Sequence, residues 1–396
     1  MIKPSERVSS IEEYYFSKRG KDIAEVRAAG KEIINFSIGN PDLPPADSVV
    51  EKLYESAKNP NNHGYQSYSG LPELRSALAE WYKKVFNVSL DSSSELLPLL
   101  GSKEGIFHIS MSFLNPGDIA LVPNPSYAPY KVATHLAGGK AVFYDLDENN
   151  NWLPDLENID KKVADNAKIM WVNYPNMPTG AIAEKEDLQK VVDFAARHNL
   201  LLCNDNPYSL VLPKRKPLSV LALDGGKDVC IELNSLSKSH NMAGWRVGMV
   251  AGNPNYIEPI LKFMSNINTG MFRPIQEGAI EALLNVPDSF HDERNAVYQK
   301  RKDLVFEIVE MLKLKADKNT SGMFVWAKVP DNLQNVDEFV DTMLYKIGIV
   351  LTPGKIFGSN GERFVRFSLG VKENEILKGK KVIEENLNLF SYLKSE

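Results

Sequence analysis

Lys238 stands in NSLSKSHNMAGWRVG, directly after the apolar run VCIEL, so it falls just past the end of a strand. Small hydroxyls flank it at Ser235 and Ser237, and Arg246 follows eight residues on, between glycines 244 and 248. Hydroxyls with an arginine suit an anion such as a phosphate; taken alone, the lysine also reads as an ordinary surface charge. GSKEG, opening with Gly101, Ser102 and Lys103, precedes the helical pattern IFHISMSFL. Its amides would point from a helix amino terminus, where a phosphate is well placed, although most such turns are only caps. In NDNPY, Asp205 closes the run LLLCN and Tyr208 follows three residues later. A carboxylate at a buried strand end needs a cationic partner. A protonated ring nitrogen is one, and the Tyr208 hydroxyl would then reach a phenolic oxygen on the same ring; an N-cap aspartate beside a core tyrosine is the alternative. Tyr127, in PNPSYAPY, suits the face of a planar ring or simply plugs a loop. Arg366, in RFVRFSLG, sits on a rigid strand and fits a bidentate carboxylate clamp or a structural ion pair.

The elements around these residues alternate. From Ser48 to Leu284, helical patterns separate the apolar runs AVFYDL, KIMWVNY, LLLCNDN, DVCIELNS and VGMVAG, the rhythm of a parallel sheet flanked by helices. In such sheets a ligand sits beyond the carboxyl ends of the strands, where the residues above fall. Residues 1–47 read as an arm, helical around Ile11 to Ala29 and then a strand in IINFSIG, that joins part of a smaller domain. Residues 48–285 read as the large domain and 286–396 as a small α+β domain, with a long charged helix, the strands GMFVWAKV, IVLTP and RFVRFSL, and a helix at VDEFVDTMLYKIG.

A chain of 396 residues exceeds one ordinary core. Its 46 basic against 51 acidic residues give a net charge of −5 and no footprint for nucleic acid or an anionic membrane. Cys203 and Cys230 are the only cysteines, too few for a disulfide framework and in no metal-ligand spacing, so no metal is expected. No apolar leader or stretch of spanning length is present, and a cytoplasmic location is expected.

Taken together, FSIGNPDLPP, YQSYSGLPELRSALAEW, GSKEG, PNPSY, NYPNMPTG, NDNPY, SLSK with Arg246, GMFVW, TPGKIFG and FVRFSLG resemble the class I/II aminotransferases of pyridoxal-phosphate fold type I, in order and spacing, over nearly the whole chain. The resemblance implies an α/β fold with a mainly parallel sheet in the large domain. It implies pyridoxal 5'-phosphate as cofactor, an L-amino acid and a 2-oxo acid as substrates, and a homodimer in which Tyr65 and residues near Asn268 reach the neighbour's phosphate. Lys238 would carry the cofactor as a Schiff base. Gly101, Ser102, Lys103, Ser235, Ser237 and Arg246 would surround the phosphate. Tyr127 would cover the ring, Asp205 pair its nitrogen and Tyr208 bond its oxygen, while Arg366 and Gly39 would hold the substrate's α-carboxylate. In the family an asparagine usually precedes Pro-Thr-Gly and bonds the ring oxygen; this chain has Met177, whose thioether donates nothing, which leaves Asn173 or Asn176 as candidate replacements.

A C–S β-lyase or decarboxylase of the same fold would use the same lysine and aspartate on another bond. A non-enzymatic regulator with this fold would carry a DNA-binding domain in front, and a nicotinamide dehydrogenase would show GxGxxG after its first strand. Arg273, in NTGMFRPIQ, is either a contact for a side-chain carboxylate or an interfacial ion pair.

Overall fold

The computed structural model describes residues 2–393. Its largest sheet has seven strands, in the spatial order Leu96–Leu99, Gly248–Gly252, Cys230–Ser235, Leu201–Asp205, Ala167–Val172, Ile119–Asn124 and Lys140–Asp145. All neighbours pair parallel except Gly248–Gly252, which runs antiparallel to both of its partners. The central strands are buried on both faces, which is why they read as continuous apolar runs. Leu96–Leu99 is an apolar run as well, at the edge of the sheet. It is short and contains Pro98, which an edge strand tolerates.

The period of two along these strands decides which face carries which chemistry. Leu202 and Cys230 belong to one apolar cluster, whereas Leu201, Cys203, Ile231 and Leu233 belong to another on the opposite face. Asn204 therefore turns with Leu202 and meets Glu232, with Nδ2 to Oε2 at 2.8 Å. Asp205 turns the other way with Cys203, and Ser235 follows Leu233 to that same face. The helix Ser102–Phe113 covers this face with Ile106 and Ile109. On the other face lies Lys185–Arg197, whose buried Leu188, Val191, Val192 and Ala195 recur at helical spacing. A capping box between Glu184 and Asp187 starts it.

A second sheet of four short strands, in the order Thr352–Pro353, Phe364–Ser368, Phe324–Lys328 and Lys315–Ala316, is antiparallel throughout. The long helix Ser289–Met311 packs with Glu373–Glu385 beside it. The run IVLTP divides between two sheets: Ile349–Val350 pairs parallel with Ile34–Asn35, and Thr352–Pro353 joins Phe364–Ser368. Only Ile34 and Asn35 of IINFSIG form a ladder, and the arm helix spans Tyr15–Ala28. Met177 and Tyr208, on loops of the large sheet, share an apolar cluster with Phe324 and Trp326 of the small one. The space between the two sheets is thereby fixed by packing.

Candidate active site

Beyond the carboxyl ends of the large sheet lies a cleft of about 1710 Å³, lined by the residues singled out in the sequence except Gly101, Asn176, Tyr65, Asn268 and Arg273. Lys238 enters it from the turn Leu236–Ser239, which starts where its strand ends. Ser235 caps that turn by accepting the Ser237 N–H at 3.1 Å, and its own hydroxyl donates to Ser237 Oγ at 2.9 Å. Lys238 Nζ donates to the Gly39 carbonyl and forms no ion pair among the described residues. Burial first, then the cations Arg366 and Arg246, lower its pKa to about 8. About a tenth of the amine is thus neutral at pH 7, against less than a thousandth for an ordinary lysine.

On the other side, Ser102 begins its helix with Gly101 as N-cap at a φ of 90°. Arg246, itself at a φ of 59°, is held by the carbonyls of Ala243 at 2.9 Å and Leu100 at 3.2 Å. A Cβ on Gly101 would overlap the Arg246 guanidinium, and one on Gly248 would lie 2.8 Å from the Gly101 and Ser102 backbone. Gly101 thus acts by having no side chain beside the guanidinium rather than by lining the cleft. Free helix amides, four hydroxyl or amine side chains and a guanidinium converge there, the donor set a phosphate requires.

Asp205 is 3% exposed, and its Oδ2 accepts the Tyr130 hydroxyl at 2.9 Å. Its Oδ1 is buried with no hydrogen-bond partner among the described residues. Burial raises this carboxyl to about 7, with the Tyr130 and Ser102 hydroxyls opposing the rise. Tyr130 is the residue that sequence reasoning passed over. It lies three positions after Tyr127 and stacks on Trp171, ring centres 5.0 Å apart and 10° from parallel. Tyr208 and Tyr127 are both raised above the usual tyrosine range by burial, so each remains a hydroxyl donor.

Of the two asparagines near Met177, Asn173 reaches the cleft and Asn176 does not, and the Asn173 amide spends one of its two hydrogens on the Asp205 carbonyl. The Asn173 Oδ1 accepts the Met177 N–H at 2.6 Å. The Asn176 Oδ1 accepts Thr179 Oγ1 at 2.8 Å and Thr179 N at 3.3 Å inside the turn. The Met177 sulfur instead faces Arg366, whose Nη1 lies 3.5 Å away.

Arg366 is 4% exposed and has no carboxylate partner among the described residues. Its Nη2 donates to the Ser37 carbonyl at 3.1 Å, and its guanidinium carbon stands 4.1 Å from the centre of the Phe324 ring and 4.8 Å from that of Phe357. Burial lowers its pKa to about 10, which leaves it cationic at neutral pH. A buried cation of this kind calls for an anion from outside. Two arm aromatics also reach the cleft, Tyr14 with its ring 5.0 Å from Lys103 Nζ and Phe16 with its ring 5.7 Å from Arg366. Their short aromatic run gave no periodic signal.

Tyr65 is 94% exposed, outside the cleft. Asn268 is beside Glu104, to which its amide donates. Arg273 forms a 2.7 Å ion pair with Glu277 one helical turn on, and it does not line the cleft. No helix among the described residues is long and apolar enough to cross a membrane.

The orphaned Asp205 oxygen, the donor cup and the uncharged lysine fraction fit the nitrogen, phosphate and aldehyde of pyridoxal phosphate, and together with the sheet they define a fold-type-I enzyme of that cofactor. The sequence model of the family "Aminotransferase class I and II" matches residues 31–383, and the chain belongs to this family. It is an aminotransferase dependent on pyridoxal phosphate, with an amino acid and a 2-oxo acid as substrates. The LL-diaminopimelate aminotransferase of Dehalococcoides mccartyi strain CBDB1 is 44% identical over 379 residues, 96% of this chain and 97% of the relative. That of Halothermothrix orenii is 42% identical over 373 residues, 94% and 95% of the two chains. Substrate-bound BacF from Bacillus subtilis has a TM-score of 0.93 and 35% identity, over 98% of each chain.

Proposed function

We propose that the amino donor is a diamino dicarboxylic acid of the LL-diaminopimelate type and that Lys238 is the residue that binds the cofactor. The observation that carries the substrate is the 44% identity, over nearly the full length, to an enzyme named for it. The cleft supports it as well, since Lys131 and Lys140 line it in addition to Arg366 and offer further cations to a dicarboxylic substrate. Ser102, Lys103, Ser235, Ser237 and Arg246 hold the phosphate, Asp205 Oδ1 the ring nitrogen, Tyr208 the ring oxygen and Tyr127 the ring face.

When bound, pyridoxal phosphate supplies an electron sink for the pair left as the Cα–H bond breaks. Arg366 orients the substrate by its α-carboxylate, with Gly39 beside it. The Lys238 amine, close to neutral pH in its basicity, takes the Cα proton at Nζ and returns it on the far side of the exchange. Asp205 keeps a proton on the ring nitrogen, a task suited to a buried carboxylate whose charge has no other partner.

The working unit in this reading is a cytosolic homodimer, with the chain divided near residues 47 and 285 into arm, large and small domains. Exposed apolar side chains support the dimer. Tyr65, Tyr68, Leu100, Ile267 and Phe272 lie along linked loops, for a Cβ on Gly270 would strike the Gln66 backbone, Asn268 meets Glu104, and Glu104 accepts the Leu100 N–H. A panel of amino acids with 2-oxoglutarate as acceptor tests the substrate. LL-diaminopimelate should exceed aspartate and alanine at least tenfold in kcat/KM, and a preference for a monoamino donor would overturn the assignment.

A further inference from the structure

The long helix Ser289–Met311 places Arg294 and Arg301 two turns apart on one buried face, at 3% and 4% exposure. Neither lines the cleft. Arg294 has no carboxylate partner among the described residues and spends its donors on carbonyls. Nη1 donates to Ser239 and, at 3.4 Å, to Lys238; Nη2 donates to Leu210 and to Asn295 Oδ1 at 3.1 Å. It therefore binds the backbone of the cofactor lysine to a residue two positions past Tyr208. Arg301 grips Asp42 with both branches of its fork, at 2.6 and 2.9 Å, and donates to the Leu369 carbonyl at 3.0 Å. Asp42 lies three residues past Gly39, and Leu369 lies three residues past Arg366.

The partners divide by task. Arg294 touches the two segments that carry the proton-transferring amine and the ring-oxygen donor. Arg301 touches the two segments that receive the substrate's carboxylate. A planar fork fixes two backbone segments relative to each other, which a point charge does not. We propose that Arg294 and Arg301 are positioning residues acting from one helix, the first on the chemical step through Lys238 and Tyr208, the second on substrate binding through Gly39 and Arg366. The proposal rests on the assignment of Lys238 and Arg366 made above.

The test uses the cofactor-loaded enzyme and its Arg294→Gln, Arg294→Lys, Arg301→Gln and Arg301→Lys variants. Borohydride reduction and peptide mapping of the wild type come first, since an adduct away from Lys238 would remove the underlying assignment rather than this proposal. Single-turnover absorbance with LL-diaminopimelate then gives a limiting rate and a half-saturation concentration. Arg294→Gln should lower the rate at least tenfold with half-saturation changed less than twofold. Arg301→Gln should raise half-saturation at least tenfold with the rate changed less than threefold. The lysine variants, which keep the charge and lose the fork, should show the same split at smaller amplitude. In the cofactor-free protein, hydrogen exchange should quicken at residues 236–240 for Arg294→Gln and at 37–42 for Arg301→Gln. Rate and half-saturation moving together in both proteins, or exchange unchanged at those segments, would overturn the proposal.

Discussion

The Tyr130 hydroxyl donates to Asp205 Oδ2 at 2.9 Å, and Oδ1 of the same buried carboxylate has no hydrogen-bond partner among the described residues. One oxygen is thus held by the protein, and in the proposed reading the other meets the ring nitrogen of the cofactor. Burial raises the carboxyl to about 7, against the opposing bonds from Tyr130 and Ser102. The Tyr130 bond orients the acid, while burial gives its charge a cost in the empty protein.

The first prediction is a pH dependence. Between the ordinary aspartate value of 3.8 and about 7, the folded carboxyl keeps a proton that the unfolded one has lost. The unfolded state then binds fewer protons, so stability falls as pH rises through this window. Below it the penalty is absent; above it the penalty is complete, on the order of 4 kcal/mol. Urea unfolding of cofactor-free wild type and Asp205→Asn between pH 4 and 8 measures the difference. The wild type should lose stability relative to the variant as pH rises, and parallel curves would show that the acid is paired already.

Arg366→Gln should lower kcat/KM by roughly a hundred- to several-thousandfold, since one side of a buried ion pair is worth about 3–5 kcal/mol. Arg366→Lys should recover only part of this, because the bidentate fork is lost. Amines that lack an α-carboxylate are the control and should react equally slowly with all three proteins. A variant that loses activity on those amines as well would have lost structure instead.

Met177→Asn should supply a further donor to the cofactor's ring oxygen, because Asn176 does not line the cleft and Asn173 already spends one amide hydrogen on the Asp205 carbonyl. A donor to a charged oxygen favours the charged form, so the visible absorbance of the bound cofactor should titrate at lower pH, by roughly one to two units at most. Titrations that superimpose would mean that another group already fills the place.

Mixing Tyr65→Phe with Lys238→Ala subunits through unfolding and refolding should restore activity to about a quarter of the wild type, because half of the dimers are hybrids with one intact site of two. Activity no higher than that of the separate variants would place Tyr65 away from the neighbour's site.

Much of this arrangement is legible in the sequence because strand ends announce themselves. Asp205 and Ser235 each close a continuous apolar run, and period two sends both to one face. The reversed strand Gly248–Gly252 was not legible, since apolar character carries no direction. Tyr130 and the arm residues Tyr14 and Phe16 were missed for a related reason. Their roles come from contacts across long separations, and an aromatic in a loop looks the same whether it meets a carboxylate or only fills space. Met177 was legible as a departure, but its contact with Arg366 depends on how the two sheets meet.

The central claim is that Lys238 forms the covalent bond to pyridoxal phosphate, and borohydride reduction of the loaded enzyme followed by peptide mapping tests it most directly. Its lowered pKa, its place past the strand Cys230–Ser235 and its position in the same cleft as Asp205 all predict the adduct on the peptide containing SLSKSH. The Lys238→Ala protein should show no adduct. An adduct on Lys103, the other lysine beside the phosphate cup, would contradict the account.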